Sequence, residues 1–274
     1  GYIPFGSEKA KGMKAIDFKE FYHLGREWTD EQLERLNYPT NIWPEDTLFT
    51  EKMKIYISHL EVYMQKLQKI IALAMGCEDT FFDSITGEGE GLLRVIHYPA
   101  MEKNFVDEDA IWAGAHTDIN MFTILPEATA EGLEVQLSDG TWMPVFAQKD
   151  SMIVNCGDMT EAYSNGYFKS SVHRVKAPKG RSGSERYSMV FFCHGKKDDL
   201  VYPLKHCVEM TGGVEKFAHA TVGELKSERF TENNQASDEL VNFLAESGVM
   251  DRLVDVKRAS YEPMCVLRDR GLAT

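Results

Sequence analysis

Residues 114–120 read GAHTDIN and set an imidazole and a carboxylate one residue apart. On an extended chain residues i and i+2 point to the same side, so His116 and Asp118 can face a common point while Thr117 turns away. Such a pair is either a polar surface turn or two thirds of a metal site. The second use requires a third ligand from elsewhere. His173, in SSVHRV, is the candidate, on a strand late enough to return across a folded β-structure.

Two neutral imidazoles and one carboxylate on one face of an octahedron leave three coordination positions open, a set that suits Fe(II) and dioxygen chemistry. A thiolate-rich closed site would favour structural zinc instead, and no cysteine lies near these residues in sequence. The adjacent pairs Cys193-His194 and His206-Cys207 are weaker, because neighbours on a strand point in opposite directions and each pair offers one ligand at most. The remaining histidines, His23, His59, His97, His194, His206 and His219, read as ordinary hydrogen-bonding groups. Isolated H-x-D matches are common by chance, so supporting residues matter. In RYSMVFFCH, Arg186 and Ser188 share a face, and a guanidinium with a hydroxyl in a dry pocket is a receptor for a carboxylate. The alternative is an internal salt bridge from Arg186 to an acidic side chain.

These groups need elements to hold them. Met53, Ile57, Leu60, Met64, Leu67, Ile71 and Ala74 recur at steps of four and three and predict a helix over about residues 50–76, stopped by Gly76 and packed on a sheet. From 91 to about 200 the pattern changes to short strands: LLRVIHY, MFTIL, LEVQL, TWMPV, SMIVN, SSVHRV and RYSMVFFCH. Asp139-Gly140 predicts one hairpin turn and Asn165-Gly166 another. Strands at this spacing predict a sandwich or barrel, of which the jelly roll is one solution. GEGEG (residues 87–91) reads as a turn, since its carboxylates would repel phosphate, and PKGRSGSE (178–185) as an exposed hairpin connection. SDELVNFLAESG, capped by Ser or Asp, lies in a helical C-terminal region of about 220–260.

A chain of 274 residues with 43% hydrophobic content fits one domain. The net charge of −13 disfavours nucleic acid or an anionic membrane as partner and leaves a small molecule as the expected ligand. No apolar run reaches the ~18 residues of a membrane span, and the opening GYIPFGSEKAKG has no signal-peptide pattern, so a cytoplasmic location is expected. The five cysteines, Cys77, Cys156, Cys193, Cys207 and Cys265, have no framework spacing and are expected to be reduced thiols. Oligomeric state is not encoded in any of these features.

Taken together, A-H-T-D-I-N, N-G-Y-F-K-S-S-V-H-R-V and R-Y-S resemble the isopenicillin N synthase-like branch of the 2-oxoglutarate/Fe(II)-dependent dioxygenases, and GLEVQLSDGTWMPV and VNCGDMTEAYSNG agree with its hairpin and following strand and turn. The resemblance implies a mixed, mainly β fold, a double-stranded β-helix (jelly-roll) core flanked by N-terminal and C-terminal helices. It implies Fe(II) ligands at His116, Asp118 and His173, and a hold on the far carboxylate of 2-oxoglutarate by Arg186 and Ser188. Tyr98 matches a tyrosine that supports the cosubstrate, although Ile96 stands where the family carries asparagine. Phe192 aligns with an aromatic that stacks on substrate in some relatives, and Met121, Phe122 and Tyr163 are further cavity candidates. The resemblance also implies an additional N-terminal strand and helix ahead of the Gly-Tyr region; either the chain is trimmed there or part of the cavity wall is built differently. The implied activity is oxidation of a C–H bond of a medium-sized, partly hydrophobic metabolite of specialised metabolism, with dioxygen and 2-oxoglutarate as cosubstrates. The alternatives are an isopenicillin N synthase-like oxidase that does not use 2-oxoglutarate, and a non-catalytic ligand-binding protein on the same fold.

Overall fold

The computed structural model of the chain describes residues 1–7, 17–100, 111–177, 185–232 and 237–250. Its elements in order are β1 (Tyr2–Ile3), β2 (Glu20–Gly25), α1 (Asp30–Leu36), α2 (Thr47–Ala74), α3 (Asp83–Thr86), β3 (Gly91–Tyr98), β4 (Ile111–His116), β5 (Phe122–Pro126), β6 (Leu133–Gln136), β7 (Trp142–Pro144), β8 (Met152–Cys156), α4 (Asp158–Tyr163), β9 (His173–Lys176), β10 (Arg186–Cys193), β11 (Leu200–Val201), α5 (Lys205–Met210), β12 (Ala220–Thr221), α6 (Val222–Glu232) and α7 (Asp238–Ser247).

Two antiparallel sheets form the jelly roll. One runs β1-β2-β3-β10-β5-β8 and the other β4-β9-β6-β7. The period of two along each strand divides the larger sheet's residues between two cores. Phe21, Ile96, Tyr98 and Val190 turn inward and meet Trp112, Ala113 and Val175 of the smaller sheet. Leu24, Leu93, Phe122, Ile124 and Phe191 turn outward and pack under α2 with Ile57, Leu60 and Met64. A strand buried on both faces has no polar alternation, which is why β10 reads as a nearly continuous apolar run after its first three residues.

The 28-residue helix α2 covers the outer face. Asp46 caps it by accepting a hydrogen bond from Phe49 N at 3.0 Å. Its buried side chains are Ile57, Leu60, Met64, Gln68 and Ala72, whereas the predicted stripe ends on Leu67, Ile71 and Ala74. Leu67 and Ile71 are half-buried and Ala74 is exposed. Alternating steps of four and three repeat every 3.5 residues; a straight α-helix repeats every 3.6, so the buried face falls behind such a pattern within a few turns. Gln68 enters the core without leaving its amide unpaired: it donates to Asp83 Oδ1 at 2.7 Å and accepts from the Thr86 hydroxyl.

Other expectations need correction. The sequence pattern does not mark the IWAGAH strand β4, because Ala-Gly-Ala has weak strand preference. The backbone of Asn165-Gly166 is left-handed at both residues, with φ of 51° and 81°, yet this turn ends helix α4 and no hairpin forms, since β8 and β9 lie in different sheets. Asp139-Gly140 does join paired strands β6 and β7. The GEGEG segment is a turn, and the Arg26 guanidinium donates to the carbonyls of Gly87 and Gly89 within it. Ser237 caps α7 by accepting from Leu240 N. The four cysteines among the described residues are free thiols; Cys265, residues 178–184 of the expected hairpin connection and the end of the expected C-terminal helical region lie outside the described residues. No helix among the described residues is long and apolar enough to cross a membrane.

The packing of α2 gives a direct check. Truncating Leu60→Ala removes a side chain 1% exposed and is expected to cost about 2–5 kcal/mol in a denaturant titration. Leu73→Ala, on the solvent face of the same helix, is expected to change stability by no more than about 0.5 kcal/mol.

Candidate metal centre

His116 closes β4 and His173 opens β9, and the two are register partners across the smaller sheet. Side chains directly opposite on antiparallel strands share a face, and their rings lie 4.4 Å apart between centroids. Register shifts in the β4–β9 ladder, the second of them between Ala113 and His116, bring this pair opposite one another at the strand ends. Asp118 lies just beyond β4, where the chain crosses to the larger sheet. Its Oδ1 is 3.9 Å from His116 Nε2 and 3.8 Å from His173 Nε2. One ligand atom from each residue lies within 4.8 Å of the others, and this is the one such His/Cys/Asp/Glu group among the described residues.

The neighbours fix which atoms face the common point. His116 Nδ1 lies 2.7 Å from the Gly114 carbonyl and His173 Nδ1 lies 3.1 Å from the Ser171 carbonyl. A carbonyl only accepts, so each Nδ1 carries the hydrogen and each Nε2 presents its lone pair. Asp118 Oδ2 accepts from Thr123 Oγ1 at 2.6 Å and Asn155 Nδ2 at 2.9 Å, leaving Oδ1 for the centre. Thr123 and Asn155 are register partners on β5 and β8. Asn120 donates in turn to Thr123 Oγ1 at 2.8 Å. Gly157 passes so close to Asn120 that a Cβ there would collide with the Asn120 carbonyl. The histidines thus belong to one sheet and the support of the carboxylate to the other.

Burial and the neighbouring His173 lower the His116 imidazole to about 4. Burial raises Asp118, but the two histidines and the hydrogen bonds from Thr123 and Asn155 outweigh it and bring the carboxyl to about 2. His116 Nε2, His173 Nε2 and the ionised Asp118 carboxylate thus aim three lone pairs at one point. The hard and borderline donors, with no thiolate among them, fit a divalent first-row metal such as Fe(II).

Arg186 and Ser188 face inward from β10 and are buried, with Tyr98 opposite Arg186 in register. The guanidinium sits 5.0 Å from the Tyr98 ring centroid and Nε donates to the Ala130 carbonyl at 3.0 Å. Among the described residues no carboxylate pairs with Arg186, and its buried Nη1 has no acceptor. Burial pulls its pKa below the usual arginine value. A buried cation with a donor to spare fits an incoming carboxylate.

A cavity of about 830 Å³ opens beside the centre and is lined by His116 and Asp118, with Phe21, Arg94, Phe192, His194 and Arg229 among its walls. Arg186, Ser188, Tyr98 and His173 are not in that wall. Phe192 is in it, while Met121, Phe122 and Tyr163 are fully buried in the outer core. Phe122 fails as a cavity residue for a simple reason: it pairs with Cys193, whereas its neighbour Thr123 pairs with Phe192 on the inner face. Sequence reasoning also missed His194, which lines the cavity with Nδ1 sealed and unpartnered. Its parity with Arg186, Ser188 and Phe192 on one strand was the available signal. Burial and nearby Lys226 hold His194 well below the usual histidine value.

Known proteins share both the sequence and the shape of this chain. The profile of the 2OG-Fe(II) oxygenase superfamily matches residues 89–195. The 2-oxoglutarate-dependent dioxygenase caaD of Aspergillus niger is 31% identical over 200 residues, which cover 71% of this chain and 60% of the relative; the chain thus spans less than two thirds of that protein's length. A Caulobacter crescentus crystal structure of a protein assigned to the 2OG-Fe(II) oxygenase family aligns with a TM-score of 0.74 at 36% identity, covering 85% of this chain and 75% of that one. A full-length Neurospora crassa protein, solved in complex with alpha-KG and thymine, aligns with a TM-score of 0.70 at 26% identity, covering 82% of this chain and 71% of that one.

The neutral histidines His116 and His194 set a pH dependence. In the unfolded chain they take up protons near pH 6.5; in the fold His116 does so only near 4 and His194 also resists. The unfolded state then binds more protons as pH falls, so metal-free stability is expected to decline from pH 7 toward pH 5. Asp118, with a depressed value, contributes stability that is lost only below about pH 4. Urea titrations in chelator at pH 7.5, 6 and 5 check this, and His194→Gln should flatten the decline.

Proposed function

Because this chain belongs to the 2OG-Fe(II) oxygenase superfamily, we propose that it is a non-haem Fe(II)- and 2-oxoglutarate-dependent dioxygenase that oxidises a C–H bond of a small molecule. The observation that carries this reading is the convergence of His116 Nε2, Asp118 Oδ1 and His173 Nε2 on one point. The buried Arg186 with its unpartnered Nη1 supports it. His116, Asp118 and His173 would hold the iron, and Arg186 with Ser188 would hold the far carboxylate of 2-oxoglutarate, Tyr98 packing beside the guanidinium. When bound, iron and 2-oxoglutarate supply the oxidation no side chain provides: dioxygen and 2-oxoglutarate are converted to carbon dioxide and succinate as the substrate C–H is oxidised, one oxygen atom entering the product in a hydroxylation.

The chain's own part is placement. The carbonyls of Gly114 and Ser171 hold both imidazoles in the ligating tautomer. Thr123 and Asn155 keep the carboxylate from rotating. Phe21 and Phe192 give the cavity an apolar wall, and Arg94 lies against both rings, 4.1 and 5.4 Å from their centroids. His194 lines the same cavity. Such a wall suits a medium-sized, partly hydrophobic metabolite of specialised metabolism with a few polar groups. We place the activity in one domain spanning residues 1–274 and in the cytoplasm.

The test is turnover with Fe(II), 2-oxoglutarate and a metabolite library, read by succinate release and by mass gain of one oxygen or loss of two hydrogens. Asp118→Ala is expected to abolish metal binding and succinate release. Arg186→Gln is expected to raise KM for 2-oxoglutarate about ten- to a hundredfold, the equivalent of one charge-assisted hydrogen bond of roughly 1.5–3 kcal/mol. Oxygen consumption with 2-oxoglutarate left untouched would identify instead an oxidase of the isopenicillin N synthase type.

A further inference from the structure

Thr117, between the two proposed ligands His116 and Asp118, is held at both its carbonyl and its hydroxyl. Arg229, near the end of α6 and almost fully buried, donates from Nη1 to the Thr117 carbonyl at 2.6 Å. Its Nη2 donates to Asp158 Oδ2 at 2.7 Å and lies 3.4 Å from Thr117 Oγ1. The Thr117 hydroxyl also donates to Asp158 Oδ2 at 3.3 Å. Asp158 completes the arrangement, because its backbone N–H donates to the Asp118 carbonyl at 2.8 Å. The carbonyls of two successive residues, 117 and 118, are thus fixed by one guanidinium and by the residue that guanidinium holds.

We propose that Arg229 is a positioning residue for the metal centre: by fixing the backbone between His116 and Asp118, it sets the distance and angle at which these two ligands meet the ion. The proposal rests on the reading of His116, Asp118 and His173 as metal ligands. Two physical points favour it. The grip acts on backbone carbonyls, so it constrains where both flanking side chains start, and a guanidinium fork constrains direction as well as distance. The loop has no regular hydrogen-bond ladder of its own between β4 and β5, so an external donor has something to fix. The helix that supplies the grip also presents Lys226 and Phe230 to the cavity. A substrate pressing on α6 therefore touches the element that shapes the metal loop.

Metal binding without turnover reads the proposal directly. Co(II) is titrated against a chelator into wild type, Arg229→Gln, Arg229→Lys and Leu225→Ala, alongside the thermal midpoint of each metal-free protein. Leu225 is buried in the core on the same helix and is not among the residues bonded to the loop. Arg229→Gln is expected to weaken Co(II) about tenfold or more, the usual effect of removing an outer partner of a metal site. Arg229→Lys is expected to lie between, since an ammonium keeps the charge but lacks the rigid planar fork that holds two acceptors in fixed directions. Leu225→Ala is expected to lower the midpoint and bind Co(II) as wild type does. Equal Co(II) affinity in wild type and Arg229→Gln overturns the proposal, and so does an equal loss in Leu225→Ala, which would make α6 mere structural mass. Should Arg229→Gln fail to fold, Arg229→Lys decides: affinity equal to wild type overturns it. Absence of Co(II) binding in the wild type overturns the ligand assignment itself, a result distinct from the others.

Discussion

The site depends on an electrostatic constraint: three electron-rich atoms are held face to face. The Nε2 lone pairs of His116 and His173 and the Asp118 oxygen repel one another unless a cation stands between them. Left to themselves the rings would flip to donate a hydrogen to the carboxylate. Carbonyl acceptors behind both Nδ1 atoms and two donors behind the other carboxylate oxygen prevent this. The fold uses backbone and side-chain hydrogen bonds to hold an arrangement that is unfavourable until metal arrives, and the jelly roll is suited to it. One sheet holds the histidines and the other holds the supports of the aspartate, so the centre is assembled only when the two sheets are packed.

Much of this was legible from residues alone. Arg186 and Ser188 follow from period-two arithmetic on β10; the same arithmetic pairs His116 with Asp118, although β4 ends at His116 and Asp118 reaches the common point from the loop beyond it. The jelly roll itself follows from the run of short strands and from the likeness of three sequence blocks, and the structure has that fold. The return of His173 to face His116 also depends on β-sheet register, which sequence spacing does not specify; the structure brings the two opposite each other.

The features that local sequence hides are hidden for physical reasons. Strand β4 carries Ala-Gly-Ala, residues whose weak preference is overridden by the sheet around them. Phe122 and Met121 look like cavity residues by composition, but Phe122 is turned outward by its pairing with Cys193 of β10, to whose carbonyl Met121 N also donates, and no local pattern reveals this. Tyr163 lies on the short helix α4, packed against Phe82 with ring centroids 5.5 Å apart, far from a cavity role. Thr123, Asn155 and Arg229 are common polar types in ordinary local sequence. Their roles exist only through contacts between segments distant along the chain. His194 is intermediate: its neighbour Cys193 suggests a zinc pair, while its parity with Arg186 is the informative signal.

Strand β10 has a further consequence for how such a protein changes over time. Its even positions, Arg186, Ser188, Val190 and Phe192, face the interior of the roll, and its odd positions, Met189, Phe191 and Cys193, pack beneath α2. Heritable variation at neighbouring codons is therefore screened by different pressures, chemistry on one side and folding on the other. The cavity lining can drift at Phe192, whereas Val190 on the same face is tied to the inner core. Loss of a single codon within the strand would reverse the facing of every residue on one side of the deletion, turning core side chains toward the cavity and cavity side chains toward α2.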